Sequence, residues 1–83
     1  MLKKIPLFLK ILPYEMEVEG LFVMNTSLQE NIDALFKILK LPLDIRYIIV
    51  DELTGLPIDP LKTLMDLGLN HPRCLCLYCF NSW

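Results

Sequence analysis

Thr63-Leu64-Met65-Asp66-Leu67-Gly68-Leu69-Asn70, followed after four residues by Leu75-Cys76-Leu77-Tyr78-Cys79-Phe80, is the stretch on which the fold turns. Thr63 and Asp66 carry short polar side chains that can hold free backbone amides of a tight turn. Gly68 allows positive φ at the exit. Leu64, Leu67 and Leu69 can pin the turn to a core, and Pro60 and Gly68 bracket a single helical turn that also contains Leu61. The run from Leu75 to Phe80 is continuous, apolar and short, as expected of a strand buried within a sheet.

Upstream of this stretch the chain reads as strands flanking one helix. Ile45-Arg46-Tyr47-Ile48-Ile49-Val50 is rich in β-branched and aromatic residues and reads as a strand. Asp51-Glu52-Leu53-Thr54-Gly55 reads as a loop, and Leu56-Pro57-Ile58 as a short edge strand, because Pro57 lacks a ladder donor. Before them, Ser27-Leu28-Gln29-Glu30 has the pattern of a capping box. Leu28, Ile32, Leu35, Phe36 and Leu39 then recur at helical spacing. Burying such a stripe is worth about 1.5–3 kcal/mol per side chain. Pro42 is expected to stop the helix, since proline disfavours helical geometry in the residue before it.

At the N-terminal end, Ile5-Pro6-Leu7-Phe8-Leu9-Lys10-Ile11-Leu12 alternates, with Leu7, Leu9 and Ile11 on one face and Phe8 and Lys10 on the other. Pro13-Tyr14-Glu15 can turn the chain. Met16-Glu17-Val18-Glu19 alternates again with its carboxylates outward. Gly20 interrupts it and reads as a bulge before Leu21-Phe22-Val23-Met24. The order is β-β-α-β-(β)-turn-β.

This order resembles that of the ubiquitin-like domains. Leu7-Phe8-Leu9-Lys10-Ile11-Leu12 is similar to ubiquitin's first strand. Leu41-Pro42-Leu43-Asp44, followed by Arg46 and a strand, is similar to the helix exit into its third strand. Thr63-Leu64-Met65-Asp66 is similar to the Thr-Leu-x-Asp turn before its last strand. The resemblance covers about Leu7 to Phe80. It implies an α+β ubiquitin-like β-grasp fold, a mixed four- to five-stranded sheet with one main helix packed across it, in a single domain over residues 1–83 with its core at about 5–80. The chain ends Phe80-Asn81-Ser82-Trp83, without the diglycine tail that conjugation of ubiquitin requires, which implies the non-conjugated type.

By the same resemblance, the outward sheet patch through which ubiquitin is recognised maps onto Leu12, Ile49, Cys76 and Tyr78, with Ile48 as the alternative outward residue to Ile49. The implied function is a non-catalytic module binding partner proteins through this patch. The implied setting is the ubiquitin–proteasome system or a signalling scaffold, with a ubiquitin-pathway receptor, ligase or proteasome subunit as partner. The alternatives are docking on the rest of its own chain, and a Ras-association or PB1-type member of the same superfold. The acidic run Glu15, Glu17 and Glu19 argues against the former, whose relatives more often present basic residues to acidic GTPases. Asp51, Glu52 and Asp59 are too sparse an acidic cluster for the latter.

Composition narrows the other classes. The chain has 83 residues, of which 54% are apolar, and a formal net charge of −2. The pI is about 5.2 and the mean hydropathy +0.45. One small core is within reach, with apolar surface left over, and such a surplus points to an interface. Lysines and arginines are scattered, so no basic footprint for nucleic acid is present. The start, Met1 to Leu12, is broken by Pro6 and Lys10 and lacks a small-residue cleavage site, so it reads as a mature strand rather than a signal peptide. It is too short to span a membrane. Three cysteines, all between Cys74 and Cys79, make no disulfide framework. The expected location is cytoplasmic or nuclear.

His71, Cys74, Cys76 and Cys79 are potential soft ligands, but on one strand Cys74 and Cys76 share a face and Cys79 takes the other, a poor match to a tetrahedral zinc site. No cofactor or small-molecule substrate is expected. A single histidine, a Ser27 engaged in capping, and no nucleophile elbow or phosphate-binding glycine loop leave enzymatic chemistry without a constellation.

Overall fold

The computed structural model describes residues 3–42 and 44–80. The last three residues of the chain, and with them the expected tail, lie outside the described residues, as does Leu43. The elements are β1 (Lys4–Leu12), β2 (Met16–Val23), α1 (Leu28–Leu39), β3 (Arg46–Asp51), α2 (Leu64–Leu67) and β4 (Cys74–Phe80). The strands form one mixed sheet in the order β2-β1-β4-β3. The two central strands run parallel, Leu9 opposite Leu75 and Ile11 opposite Leu77. Each outer strand is antiparallel to its neighbour.

One face of the sheet carries Leu7, Leu9, Ile11, Phe22, Ile49, Leu75 and Leu77, and α1 covers it with Leu28, Ile32, Leu35 and Phe36. The helical stripe and the alternation of β1 therefore both point where their periods require. Gly20 is not a bulge. The ladder runs unbroken through it, Gly20 opposite Leu7 and Phe22 opposite Ile5. A Cβ at Gly20 would lie 3.0 Å from a Phe22 ring carbon. The glycine makes room for the buried ring two residues on, on the same face.

The helix starts as its sequence suggests, with the Ser27 hydroxyl accepting the Glu30 amide at 3.1 Å. The next amides are satisfied from outside, since Leu28 N donates to Lys62 O (2.9 Å) and Gln29 N to Pro60 O (2.8 Å). Asn31 adds a fork that was not expected. Its Oδ1 accepts the Val23 amide at 2.8 Å, and its Nδ2 donates to the carbonyls of Val23 (3.0 Å) and Ser27 (3.0 Å). The end of β2 is thereby tied to the first turn of α1. The helix ends before Pro42 acts on it. Lys40 takes a left-handed conformation (φ 59°), and the Leu41 amide returns to Phe36 O at 2.9 Å.

The turn before the last strand forms through Thr63, whose Oγ1 accepts the Asp66 amide at 3.1 Å, with Gly68 at φ 70°; the Asp66 carboxylate, expected to hold a second amide, accepts no hydrogen bond among the described residues. Leu64 and Leu69 are buried, and Leu67 packs against them, whereas Leu61 is exposed. The expected short edge strand at Leu56-Pro57-Ile58 is reduced to a single bridge between Pro57 and Val50, so the sheet has four strands. Asp51, at the end of β3, is buried. Its Oδ2 accepts Arg73 Nη1 at 2.7 Å and its Oδ1 the Leu53 amide at 3.1 Å. The ion pair joins the ends of the segments entering and leaving the two neighbouring strands.

The placement of Ile49 requires a correction. It lies opposite Leu77 on β4, a core residue, and is 2% exposed. Since successive side chains on a strand alternate, Ile48, opposite Tyr78, is the outward residue.

Candidate functional site

The outer face of the sheet, opposite α1, is built by the other half of each alternation. Because β1 and β4 are parallel and β4 and β3 antiparallel, the pairings generate rows running across the strands. Leu12, Tyr78 and Ile48 form one row. Lys10, Cys76 and Val50 form the next, with Glu17 of β2 beside Lys10. Phe8, Cys74 and Glu19 form a third. Phe80 and Arg46 stand opposite each other beyond the first row.

The first row is apolar and open, with Tyr78 and Ile48 each about half exposed. Phe80 adds a further exposed ring. The second row is different, because Glu52 reaches over β4 from the loop after β3. Its carboxylate lies 3.0 Å from Lys10 Nζ on β1 and 4.0 Å from the Cys76 thiol. Cys76, on the outer face as expected, is consequently buried. It belongs to the floor beneath an ion pair and offers no contact surface. Of the four residues expected to form the patch, Leu12 and Tyr78 are together on the open face, Cys76 is covered, and Ile49 is in the core.

The chemistry of the covered region is quiet. The Lys10 ammonium is held above its ordinary range by its hydrogen bond to Glu52 and by that residue's charge. Glu52 is held below the usual carboxylate range by the neighbouring Cys74 thiol and by Lys10. Burial pushes the Cys74 thiol up to about 12, and the neighbouring Glu52 adds to this. A thiol so placed is protonated at neutral pH and is a poor nucleophile or metal ligand. Cys79 packs against the core on the opposite face, and burial raises its thiol too. His71 is exposed in the loop before β4. Among the described residues, no group of three or more His, Cys, Asp or Glu is placed to hold a metal ion, and no helix is long and apolar enough to cross a membrane.

No family model matches the sequence, and no curated protein matches it at a significant level. Solved structures do match the fold. The ubiquitin of Caldiarchaeum subterraneum superposes with a TM-score of 0.74 at 15% identity, covering 96% of this chain and 98% of that one. The chain has the ubiquitin-like β-grasp fold. A de novo designed protein based on ubiquitin gives a TM-score of 0.73 at 12% identity, over 96% of this chain and 93% of the design. The N-terminal ubiquitin-like domain of the 4931431F19Rik protein gives 0.72 at 15%, over 96% and 78%. At these identities the likeness is one of fold.

Sequence reasoning left Ile48 as the alternative to Ile49, and it missed Glu52. Ile48 sits in an apolar run flanked by Arg46 and Asp51, which fall on opposite faces of β3 and so give conflicting cues. Glu52 reads as a loop residue, and its reach to Lys10 becomes visible only once β4 lies between β3 and β1.

Proposed function

We propose that this ubiquitin-like domain is a non-catalytic protein-interaction module whose contact surface is the outer-face row Leu12, Tyr78 and Ile48, extended by Phe80. The observation that carries this reading is the alignment of three outward apolar side chains on one row of a hydrogen-bonded sheet. Tyrosine is among the residue types enriched in interface hot spots. The backbone beneath it is fixed by ladders on both sides, so little ordering is needed on binding. A patch of this size supports modest affinity.

A non-catalytic role is supported by the use of the reactive groups elsewhere: the Ser27 hydroxyl caps α1, and the Cys74 thiol is protonated. The proposed partners are proteins of the ubiquitin–proteasome system or a signalling scaffold, in the cytoplasm or nucleus. The reading extends to no nucleic acid, membrane or small-molecule substrate.

The test is the double variant Ile48→Asp, Tyr78→Asp, assayed for capture of purified proteasomal and ubiquitin-pathway receptor subunits. Wild type should bind, and the double variant should lose binding with an unchanged circular dichroism spectrum. Ile49→Asp serves as the register control and should unfold the domain, since it places a charge in the core. Equal capture by wild type and the double variant, or no capture by wild type, overturns the proposal.

A further inference from the structure

The acidic run on β2 plays no part in the apolar row. Glu17 and Glu19 both face outward, Glu17 opposite Lys10 and Glu19 opposite Phe8. Between them and Glu52, the outer face opens into a groove of about 560 Å³ lined by Phe8, Lys10, Glu17, Glu19, Glu52 and Cys74. Two independent features mark this groove. Its side walls carry three carboxylates against one ammonium, and that ammonium is already committed to Glu52. Glu17 and Glu19 form no ion pair among the described residues. Phe8, the groove's aromatic lining, stands 48% exposed, although it lies on β1, one of the two central strands.

An anionic wall beside an exposed ring suits a flat, weakly hydrated cation. We propose that this groove receives an arginine side chain presented by a partner protein, its guanidinium against the Phe8 ring and hydrogen-bonded to Glu17 and Glu19. Guanidinium stacks on aromatic faces and forks onto carboxylates, whereas the ammonium of lysine is more strongly hydrated and cannot stack as a plane. The Lys10–Glu52 bridge closes the far side of the groove; Lys10 is hydrogen-bonded there and acts on Glu17, its cross-strand neighbour, through charge alone. The groove uses the β2–β1 side of the face, distinct from the Leu12, Tyr78 and Ile48 row, so the inference does not depend on what that row binds.

The probe is the blocked tripeptide acetyl-Gly-Arg-Gly-amide, titrated into the isotope-labelled domain at low ionic strength and followed by amide chemical shifts. Saturable shifts are expected at Phe8, Glu17, Glu19 and Cys74, and they should weaken on adding salt. The citrulline peptide, equal in shape but uncharged, should not bind, and the lysine peptide should bind more weakly. Glu17→Gln and Glu19→Gln, both at exposed positions, should each weaken arginine binding about threefold, the size of a partly exposed ion pair. Phe8→Leu should weaken it while leaving the charge unchanged. Equal shifts with citrulline, shifts that map elsewhere, no saturable shift with arginine, or indifference to both glutamate substitutions would each refute the assignment. The Ile48→Asp, Tyr78→Asp variant should bind the arginine peptide like wild type, which separates failure of this site from failure of the apolar row.

Discussion

Replacing Tyr47 by phenylalanine should make the domain more stable. Tyr47 lies on the inner side of β3, its ring 5.9 Å from that of Phe36 and tilted 60° to it. Its hydroxyl is buried and has no hydrogen-bond partner among the described residues. Leaving such a group unpaired costs about 1–3 kcal/mol. The rest of the side chain is only partly buried, so the gain on removing the oxygen belongs at the low end, about 1 kcal/mol. Phenylalanine keeps the ring and its contact with Phe36. In a domain of this size, 1 kcal/mol raises Tm by about 4–8 °C. Urea unfolding followed by circular dichroism should show a higher midpoint with an unchanged slope. Alkaline pH gives a second reading. Burial, with the nearby charge of Asp33, raises the Tyr47 phenol from 10.0 to about 12. The folded state therefore holds this proton more tightly than the unfolded chain. The wild type keeps that contribution below 10.0 and loses it as pH rises through 12, and Tyr47→Phe should lack this part of the alkaline loss. A variant less stable than wild type would show that the hydroxyl is engaged, and the argument would fail.

Two further outcomes follow from contacts already described. Asn31→Ala removes a fork that satisfies the Val23 amide and two carbonyls, and should destabilise the domain by about 1–3 kcal/mol in chemical denaturation, an amount set by the groups left unpaired. Glu52→Gln should lower stability slightly at neutral pH. In wild type, Glu52 titrates below its ordinary 4.5 and Lys10 above its ordinary 10.5. The pair's contribution is therefore full between those values, fading as pH falls through the lowered Glu52 value or rises through the raised Lys10 value. The gap between variant and wild type, measured by thermal unfolding across pH, should narrow toward both extremes.

How much of this could be read in the chain depends on what fixes each feature. The stripe of α1 was legible because Leu28, Ile32, Leu35 and Phe36 repeat with the helical period between polar residues. The turn at Thr63–Gly68 was legible because its hydrogen bonds are local and demand particular residue types. The outward residue of β3 was not. Tyr47, Ile48, Ile49 and Val50 are all apolar, the polar residues at the strand's ends, Arg46 and Asp51, take opposite faces, and pairing with Tyr78 and Leu77, some thirty residues away, decides which face each takes. Lys40 carries no glycine signal for its left-handed turn, and Asn31 looks like any polar helix residue until the end of β2 is brought beside it. Gly20 suggested a bulge because the space its missing side chain leaves is filled by Phe22, a packing fact invisible in a strand pattern.

β4 comes last in sequence among the strands of the sheet, yet it sits in the middle, between β1 and β3. Until it is in place, the hairpin and β3 share no ladder, and Leu9, Ile11 and Ile49 have no strand neighbour between them. A ribosome making this domain therefore holds an unfinished sheet until β4 has emerged. The hairpin and α1 can associate early through Asn31, but the cooperative unit closes only when Cys74 to Phe80 has cleared the exit tunnel. Any premature stop before that point leaves two open strand edges for other chains to find.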